Sequence, residues 1–203
     1  MNDQSKIIGL AGTNGAGKDA VGDILANRHG YWFFSFTELF RAECRRRDIE
    51  VTRPHTRMIS IEWREQSGLA TLVDRSMQAF IDAGGFAKYK GVVMSSLRNT
   101  AEAERIHELG GTVLWIDADP HIRYNRIQAN AAARGRAGED NRTFEQFLQE
   151  EQDEMHRAPG ASEATLNTAA IKPMADAIIL NDTSFVDVQH AVASLLTPNI
   201  PKT

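Results

Sequence analysis

Five short apolar runs, separated by longer amphipathic segments, constrain the fold of this chain more than any other feature of its sequence. Such alternation is typical of a parallel sheet covered by helices on both faces, because each strand is then buried on two sides. The predicted strands span residues 6–11, 31–35, 91–95, 112–117 and 176–180. With 203 residues, 42% of them hydrophobic, the chain can build the core of one compact α/β domain.

A glycine-rich loop lies between the first predicted strand and the amphipathic segment after it. It reads GTNGAGK from Gly12 to Lys18, with the spacing G-x-x-x-x-G-K. Glycines at these positions let backbone N–H groups point inward, and the following helix N-terminus adds partial positive charge. Strand, glycines, lysine and helix together favour a nucleotide-phosphate site over a purely structural turn. The predicted nucleotide-binding residues here are Gly12, Thr13, Asn14, Gly15, Ala16, Gly17, Lys18, Asp19 and Ala20.

Asp19 departs from the usual form of this loop, which has serine or threonine after the lysine. A carboxylate ~4 Å from a phosphate charge costs about 4 kcal/mol at an effective dielectric of ~20, far more than the roughly 0.3–1 kcal/mol gained at a helix N-terminus. A bridging Mg²⁺ would offset this repulsion, and a turn of Asp19 toward an arginine is the alternative. The strand at 91–95, expected beside the first strand, ends in Ser95 where an acidic residue is usual. We therefore hypothesise an exchanged metal shell in which Asp19 supplies the charge and Ser95 the hydroxyl.

Composition excludes several classes of protein. A net charge of −4 provides no general attraction for nucleic acid, and a single cysteine, Cys44, excludes a disulfide framework and a thiolate metal cage. The sequence shows no secretory signal and no apolar stretch of membrane-spanning length. We expect a cytoplasmic protein with a small-molecule substrate, and with neither nucleic acid nor membrane as a partner. The oligomeric state is left open.

Two segments are similar to the acceptor-binding segments of nucleoside monophosphate kinases such as adenylate kinase. They read FFSFTELFRAE at 33–43 and SSLRNTAEAERIHELG at 95–110. The resemblance implies that Arg41 grips the phosphate of the acceptor nucleotide and that Arg98 is a second acceptor arginine. Arg53 and Arg57 either face the same acceptor pocket or lie outside it.

Two further segments resemble the ATP side of related kinases. VLWIDADPHIRYNRI at 113–127 is similar to the strand and helix leading into the adenylate kinase lid, which implies that Arg126 lies against the ATP base and phosphates. ADAIILNDTSFVDVQHAVASLL at 175–196 resembles the C-terminal segment of dephospho-CoA kinases, which implies that Asn181 borders the adenine. The loop variant with aspartate after the lysine also looks like phage-type deoxynucleoside monophosphate kinases and phosphomevalonate kinases.

The resemblance implies a fold and its internal boundaries. We expect a three-layer P-loop NTPase fold with a five-stranded parallel sheet in the order 2-3-1-4-5, a helical acceptor-binding insert and a short lid. The chain 1–203 would form a single kinase domain, with its core at 1–36, 86–129 and 171–203, the insert at about 37–85 and the lid at about 130–157. Asn130 stands where adenylate kinases have a lid arginine, so Arg134, Arg136 or Arg142 would substitute. The acidic run Glu150, Glu151, Asp153 and Glu154 is interpreted as a solvated helix face.

The residues available favour one reaction over another. Phosphorylation of a hydroxyl benefits from a carboxylate base, but the second strand ends in Ser35-Phe36-Thr37, which leaves Glu38 as the nearest acid. Phosphorylation of a phosphate needs cations instead, to offset repulsion between two anions. We therefore predict a nucleoside monophosphate kinase that uses ATP and Mg²⁺, with a dephospho-CoA kinase or a non-catalytic ATP-binding switch as alternatives. Its predicted catalytic residues are Lys18, Arg41, Arg98, Arg134 and Arg136.

Overall fold

The five predicted strands form one sheet in the computed structural model, which describes residues 6–130 and 142–196. The strands are β1 (Ile7–Gly12), β2 (Tyr31–Ser35), β3 (Gly91–Ser95), β4 (Thr112–Asp117) and β5 (Ala177–Leu180). Neighbouring strands all pair in parallel, in the order β2-β3-β1-β4-β5. The predicted fold class and strand order are therefore confirmed.

Helices connect the strands and cover both faces of the sheet. They are α1 (Lys18–His29), α2 (Phe36–Arg46), α3 (Arg53–Ser67), α4 (Thr71–Asp82), α5 (Gly85–Lys88), α6 (Thr100–Glu108), α7 (Pro120–Ala129), α8 (Phe144–Met155) and α9 (Phe185–Leu196), with a 3-10 helix at Thr168–Met174. Local sequence explains several of their ends. Asp119 caps α7 by accepting from two backbone N–H groups, and Thr143 forms a capping box with Gln146 at the start of α8.

The core lies on both faces of the sheet because successive side chains of each central strand point to opposite sides. Val92 and Met94 of β3 pack on one face with Phe36, Phe80 and Trp115. A second cluster covers the other face and is formed by Ile8, Leu10, Val21, Ile24, Val93, Leu114, Ile116 and Val188. Within the described ranges, none of the helices combines the length and the apolar character needed to cross a lipid bilayer.

The predicted acceptor-binding insert contains α3 and α4. Leu72 and Phe80 of α4 are fully buried, and Trp63 of α3 is only 8% exposed, so these apolar side chains belong to the core on one face of the sheet. Met58 of α3, by contrast, is 46% exposed. The insert therefore shares the main core on one side, and its boundaries of about 37–85 stay a prediction.

Candidate active site

The glycine-rich loop is pressed against the carboxyl ends of β4 and β5. Gly12, Gly15 and Gly17 have φ angles of 133°, 79° and 91°, in the region that favours glycine. A Cβ added to Gly12 would lie 1.9 Å from the carbonyl oxygen of Ile116, and one added to Gly17 would lie 2.3 Å from Nδ2 of Asn181. The loop conformation therefore depends on the glycines themselves, as their spacing in the sequence predicted.

Lys18 folds back over this loop. Its Nζ donates to the carbonyl oxygens of Gly12, at 3.0 Å, and Thr13, at 2.7 Å. Burial and the nearby charge of Arg98 lower the pKa of Lys18 from 10.5 to about 8, and the opposing effects of Asp19 and other acids are smaller. A half-buried ammonium held at the mouth of the loop is suited to receive phosphate oxygens.

Asp19 and Ser95 are brought together at the end of β3. The hydroxyl of Ser95 donates to Oδ1 of Asp19 at 3.0 Å, and Asp19 forms no ion pair with an arginine of the described residues. Carboxylate and hydroxyl oxygens are ligands that Mg²⁺ prefers, so the pair fits the hypothesised exchanged metal shell. No group of three or more His, Cys, Asp or Glu side chains that could hold a metal occurs in the parts of the chain that the structure describes. Mg²⁺ would therefore take its remaining ligands from nucleotide phosphates and water.

A cleft of about 890 Å³ opens above the loop. Six of the predicted nucleotide-binding residues line it, and these are Asn14, Gly15, Gly17, Lys18, Asp19 and Ala20. The other three, Gly12, Thr13 and Ala16, are buried on the side of the loop that faces away from the cleft. There the hydroxyl of Thr13 donates to Oδ1 of Asp117 at 3.0 Å. Asp117, at the end of β4, was not predicted as part of the site, and it anchors the loop from below.

Arg126 and Asn181, the predicted residues of the ATP side, form one linked group. Nη2 of Arg126 donates to Oδ1 of Asn181 at 3.4 Å, and Nδ2 of Asn181 donates to the carbonyl oxygen of Ala16 at 2.8 Å. Arg126 lines the cleft, whereas Asn181 is only 8% exposed. Asn181 therefore shapes the loop from behind, and Arg126 is the member of the pair that reaches the cleft.

Arg98 is placed by two local features of the chain after β3. Ser96 has a φ of 80°, a left-handed conformation that costs about 1–2 kcal/mol in a residue other than glycine and turns the chain sharply. Asn99 then starts α6 with a capping box, and Glu102 accepts from the backbone N–H of Arg98 at 2.7 Å. The Arg98 side chain emerges at the edge of the cleft as a result.

A second pocket, of about 380 Å³, adjoins the cleft and is lined mainly by α3 and α8. Asn14, Thr37, Ser96 and Arg98 line both cavities, so the two meet at Arg98. Arg53 and Arg57, which the sequence left either inside or outside the acceptor pocket, line the second pocket. Arg41 lines the cleft, with its Nη1 2.7 Å from Oε1 of Glu38. We refer to this second cavity as the acceptor pocket, after the role that the resemblance to nucleoside monophosphate kinases implies for it.

The acidic helix α8 differs from its sequence interpretation. Glu150 lies 2.9 Å from Arg53, Glu154 contacts Arg98, and Glu151 contacts Arg123. The interpretation of this run as a solvated face is therefore wrong for Glu151 and Glu154, whose side chains are 12% and 22% exposed. The Glu150 side chain is 45% exposed despite its ion pair, and Asp153 is exposed.

The sequence contained a signal for this arrangement. Glu150, Glu151 and Glu154 follow the buried Phe147 at i+3, i+4 and i+7, which are positions of the same helix face. Acidic side chains are usually solvated, but arginines of neighbouring elements pair with these three glutamates.

The lid arginines fall into two groups. Arg134 and Arg136 lie outside the described residues. Arg142 is only 9% exposed, contacts Glu150, and lies 5.7 Å from the centre of the Phe147 ring. It therefore anchors the start of α8.

Comparison with known proteins identifies the family. The family model described as "AAA domain" matches residues 8–148, more than half of the chain. The chain belongs to this AAA domain family. A UPF0200 protein of Pyrobaculum aerophilum is 27% identical over 183 residues, covering 89% of this chain and 90% of the relative. A UPF0200 protein of Hyperthermus butylicus is 28% identical over 192 residues, covering 94% and 93%.

Solved kinase structures share the fold of this AAA domain. Shikimate kinase from Acinetobacter baumannii, in complex with shikimate, matches with a TM-score of 0.57 and 15% identity, over 98% of this chain and 96% of that one. A gluconokinase from Sinorhizobium meliloti matches with a TM-score of 0.53 and 16% identity, over 96% and 93%. The chain therefore has the fold of small-molecule P-loop kinases.

Proposed function

We propose that this protein is a nucleoside monophosphate kinase, which transfers the terminal phosphoryl group of ATP to the phosphate of a nucleoside or deoxynucleoside monophosphate. The observation that carries the proposal is the meeting of two cavities at Arg98, with Lys18 on one side and Arg53 and Arg57 on the other. ATP would occupy the cleft and the acceptor nucleotide would occupy the acceptor pocket.

The cations suit an acceptor that is already ionised. Two phosphate groups brought within ~4 Å repel by about 4 kcal/mol at an effective dielectric of ~20, so the enzyme must supply positive charge where they meet. Arg98 lies where the two cavities meet, and Arg41 lines the cleft on the side of α2. These arginines would orient the acceptor phosphate in line with the terminal phosphate of ATP.

The ATP side would use the loop and its lysine. On ATP binding, Lys18 would exchange its two loop carbonyl acceptors for phosphate oxygens and stabilise the charge that spreads over the transferred group. Asp19, oriented by Ser95, would hold Mg²⁺, which neutralises phosphate charge when bound. The predicted lid arginines, Arg134 and Arg136, would help to stabilise the same charge.

The Mg²⁺ role of Asp19 is tested by titrating Mg²⁺ against ATP-dependent activity or binding. Asp19→Ala and Ser95→Ala are each expected to raise the half-saturating Mg²⁺ concentration by about 10–100-fold, the range for losing a group that holds or orients a metal ligand. Asp19→Ser restores the usual hydroxyl and is expected to lie between wild type and Asp19→Ala. Asp23→Ala is the control, because Asp23 is an exposed acid one turn further along α1. An unchanged Mg²⁺ dependence in both Asp19 variants would remove Asp19 from the metal shell.

A hydroxyl acceptor, as in dephospho-CoA kinase, is a second candidate. The acid nearest to the end of β2 is Glu38, which pairs with Arg41, but the acceptor pocket is also lined by Glu150, Asp153 and Glu154. Asp153 is the exposed member of this group and forms no ion pair with an arginine among the described residues. Its carboxylate is therefore the one available to accept a proton from a hydroxyl.

An acceptor screen distinguishes these functions. The protein is mixed with Mg-ATP and, separately, with each nucleoside monophosphate, each deoxynucleoside monophosphate and dephospho-CoA, and ADP is measured. We expect ADP formation with one or a few monophosphates, little change in Asp153→Asn, and a clear loss in Arg98→Lys, which keeps the charge but loses the planar fork.

Other outcomes of the screen assign the other functions. Consumption of dephospho-CoA alone, with a loss of about 10²–10⁴-fold in Asp153→Asn, would instead identify a hydroxyl acceptor. Binding of ATP without turnover of any acceptor would identify a non-catalytic switch.

A further inference from the structure

Helix α8 lines the acceptor pocket and contacts Arg98, which lines both cavities. Besides the contact of Glu150 with Arg142 just before α8, Glu150, Glu151 and Glu154 contact arginines from three separate parts of the chain. These arginines are Arg53 at the start of α3, Arg98 after β3 and Arg123 in α7. Among the three glutamates, Glu154 is the one that contacts the arginine shared by both cavities.

Glu154 lies between two arginines of the acceptor pocket. One carboxylate oxygen contacts Nη1 of Arg98, and the other lies 3.8 Å from Nη1 of Arg53. The side chains are 22% exposed for Glu154, 28% for Arg98 and 21% for Arg53, so all three are largely withdrawn from solvent. The backbone of Glu154 is also fixed, because the hydroxyl of Thr168 donates to its carbonyl oxygen at 3.2 Å.

The contact leaves most of the Arg98 guanidinium available. An arginine side chain carries five N–H donors in a rigid plane. Arg98 directs Nη1 to Glu154, while its Nε and Nη2 have no protein acceptor within residues 6–130 and 142–196. A carboxylate that fixes one corner of the plane also fixes the direction of the remaining donors.

The charge of Glu154 is suited to hold two cations together. Burial alone would raise the pKa of Glu154, but Arg98, Arg53 and Lys18 outweigh burial and lower it to about 2. Glu154 is therefore ionised at neutral pH. Its negative charge offsets the repulsion between two guanidinium groups that face the same pocket.

We propose that Glu154 is a positioning residue of the acceptor site, which holds Arg98 and Arg53 side by side so that both present donors to one phosphate group. The inference rests on the acceptor role proposed above for Arg98. Glu154 itself does not touch the reacting atoms. It acts through the orientation of the two arginines, which is lost when its carboxylate is removed.

The direction in which Glu154→Gln changes phosphate affinity distinguishes a positioning role from simple electrostatic repulsion of the phosphate by Glu154. If Glu154 only repelled anions, Glu154→Gln would remove a negative charge and strengthen phosphate binding. If Glu154 positions the arginines, the same substitution weakens phosphate binding because the two guanidinium groups repel each other and diverge. A shift in their placement also lowers kcat/KM, by up to about 10²-fold for a misplacement of ~1 Å.

The test compares Glu154→Gln, Glu154→Asp and wild type, with inorganic phosphate as the probe. Phosphate affinity is measured by calorimetry without metal, and the Nε–H signal of Arg98 is followed by ¹⁵N NMR after assignment with Arg98→Lys. We expect Glu154→Gln to bind phosphate about ten-fold more weakly, which corresponds to about 1.4 kcal/mol. The Arg98 signal should show increased motion in this variant, and Glu154→Asp should recover part of the affinity.

Glu145→Gln is the matched control, since Glu145 is an exposed acid of the same helix. It should leave phosphate affinity and the Arg98 signal unchanged, and urea unfolding of each variant verifies that it is folded. Phosphate affinity in Glu154→Gln that equals or exceeds that of wild type would overturn the inference. If the acceptor screen finds no turnover while the phosphate and NMR results hold, the proposed function fails and the positioning role of Glu154 stands.

Discussion

Replacing Glu102 with alanine is expected to lower the free energy of unfolding by about 3–5 kcal/mol, the range for leaving a buried charge without its partner. Oε1 of Glu102 lies 2.7 Å from Nη2 of Arg64, and the two side chains are 0% and 1% exposed. Glu102 also accepts from the backbone N–H groups of Arg98 and Asn99 at the start of α6. The substitution therefore leaves a buried guanidinium unpaired and removes a helix cap, and chemical denaturation with urea measures the loss.

Two further variants separate the charge from the cap. Glu102→Gln keeps an oxygen for the cap but removes the charge, so it should be less destabilising than Glu102→Ala. Adding Arg64→Met to Glu102→Gln removes the unpaired cation and should recover part of the stability. Glu104→Ala, an exposed position of the same helix, should change the free energy of unfolding by no more than about 0.5 kcal/mol. A loss in Glu102→Ala no larger than in this control would contradict the expectation.

Replacing Lys18 with methionine is expected to lower kcat/KM for Mg-ATP by about 10²–10³-fold, the range for one preorganised donor to a charged transition state. Lys90→Met, at an exposed lysine, serves as the comparison and should retain activity. Retention of activity within ten-fold in Lys18→Met would show that the lysine is dispensable. If the protein proves to be a switch, the affinity for ATP replaces kcat/KM as the measured quantity.

The pH dependence of Lys18 follows from its lowered pKa. In the free protein its charge is present below about pH 8 and lost as the pH rises through that value, so kcat/KM should fall above pH 8. Bound phosphates favour the charged form, so the corresponding fall in kcat should occur at higher pH.

The lowered pKa of Lys18 also sets the direction in which the free energy of unfolding changes with pH. The unfolded chain binds the Lys18 proton more tightly than the folded chain does, so this lysine destabilises the fold below pH 8, and that effect fades as the pH rises toward 10.5. Lys18→Met should therefore be more stable than wild type at neutral pH while it loses activity.

Features that depend on nearby residues could be predicted well from the sequence. Each strand could be predicted from a short apolar run. Successive side chains of a strand point to opposite faces of the sheet, and both faces are buried, so nearly every position in the run is apolar. The loop at Gly12–Lys18 follows from glycine spacing, because only glycine adopts its positive φ angles without strain. The proximity of Asp19 and Ser95, 76 residues apart, could also be predicted from the sequence. Asp19 comes after the loop that follows β1, Ser95 ends β3, and the carboxyl ends of adjacent parallel strands meet at one edge of the sheet.

Capping signals were only partly sufficient. Ser35 with Glu38 and Thr143 with Gln146 have the same capping-box spacing in the sequence. Thr143 and Gln146 form a capping box, whereas Ser35 stands at the start of α2 without a side-chain cap bond. Ser35 instead lines the cleft. The same sequence signal therefore leads to a cap at one helix and to a cavity wall at another, depending on what the surrounding structure places beside the hydroxyl.

The sequence by itself determined the sheet, the phosphate loop and the class of charged residues around it, because these depend on local conformation and on apolar periodicity. Only the tertiary structure decided which charges meet. The pairs Arg64–Glu102, Arg98–Glu154 and Arg53–Glu150 span 38, 56 and 97 residues. No local pattern specifies such partners, because an arginine can pair with any carboxylate that packing brings within reach, and packing is a property of the whole fold.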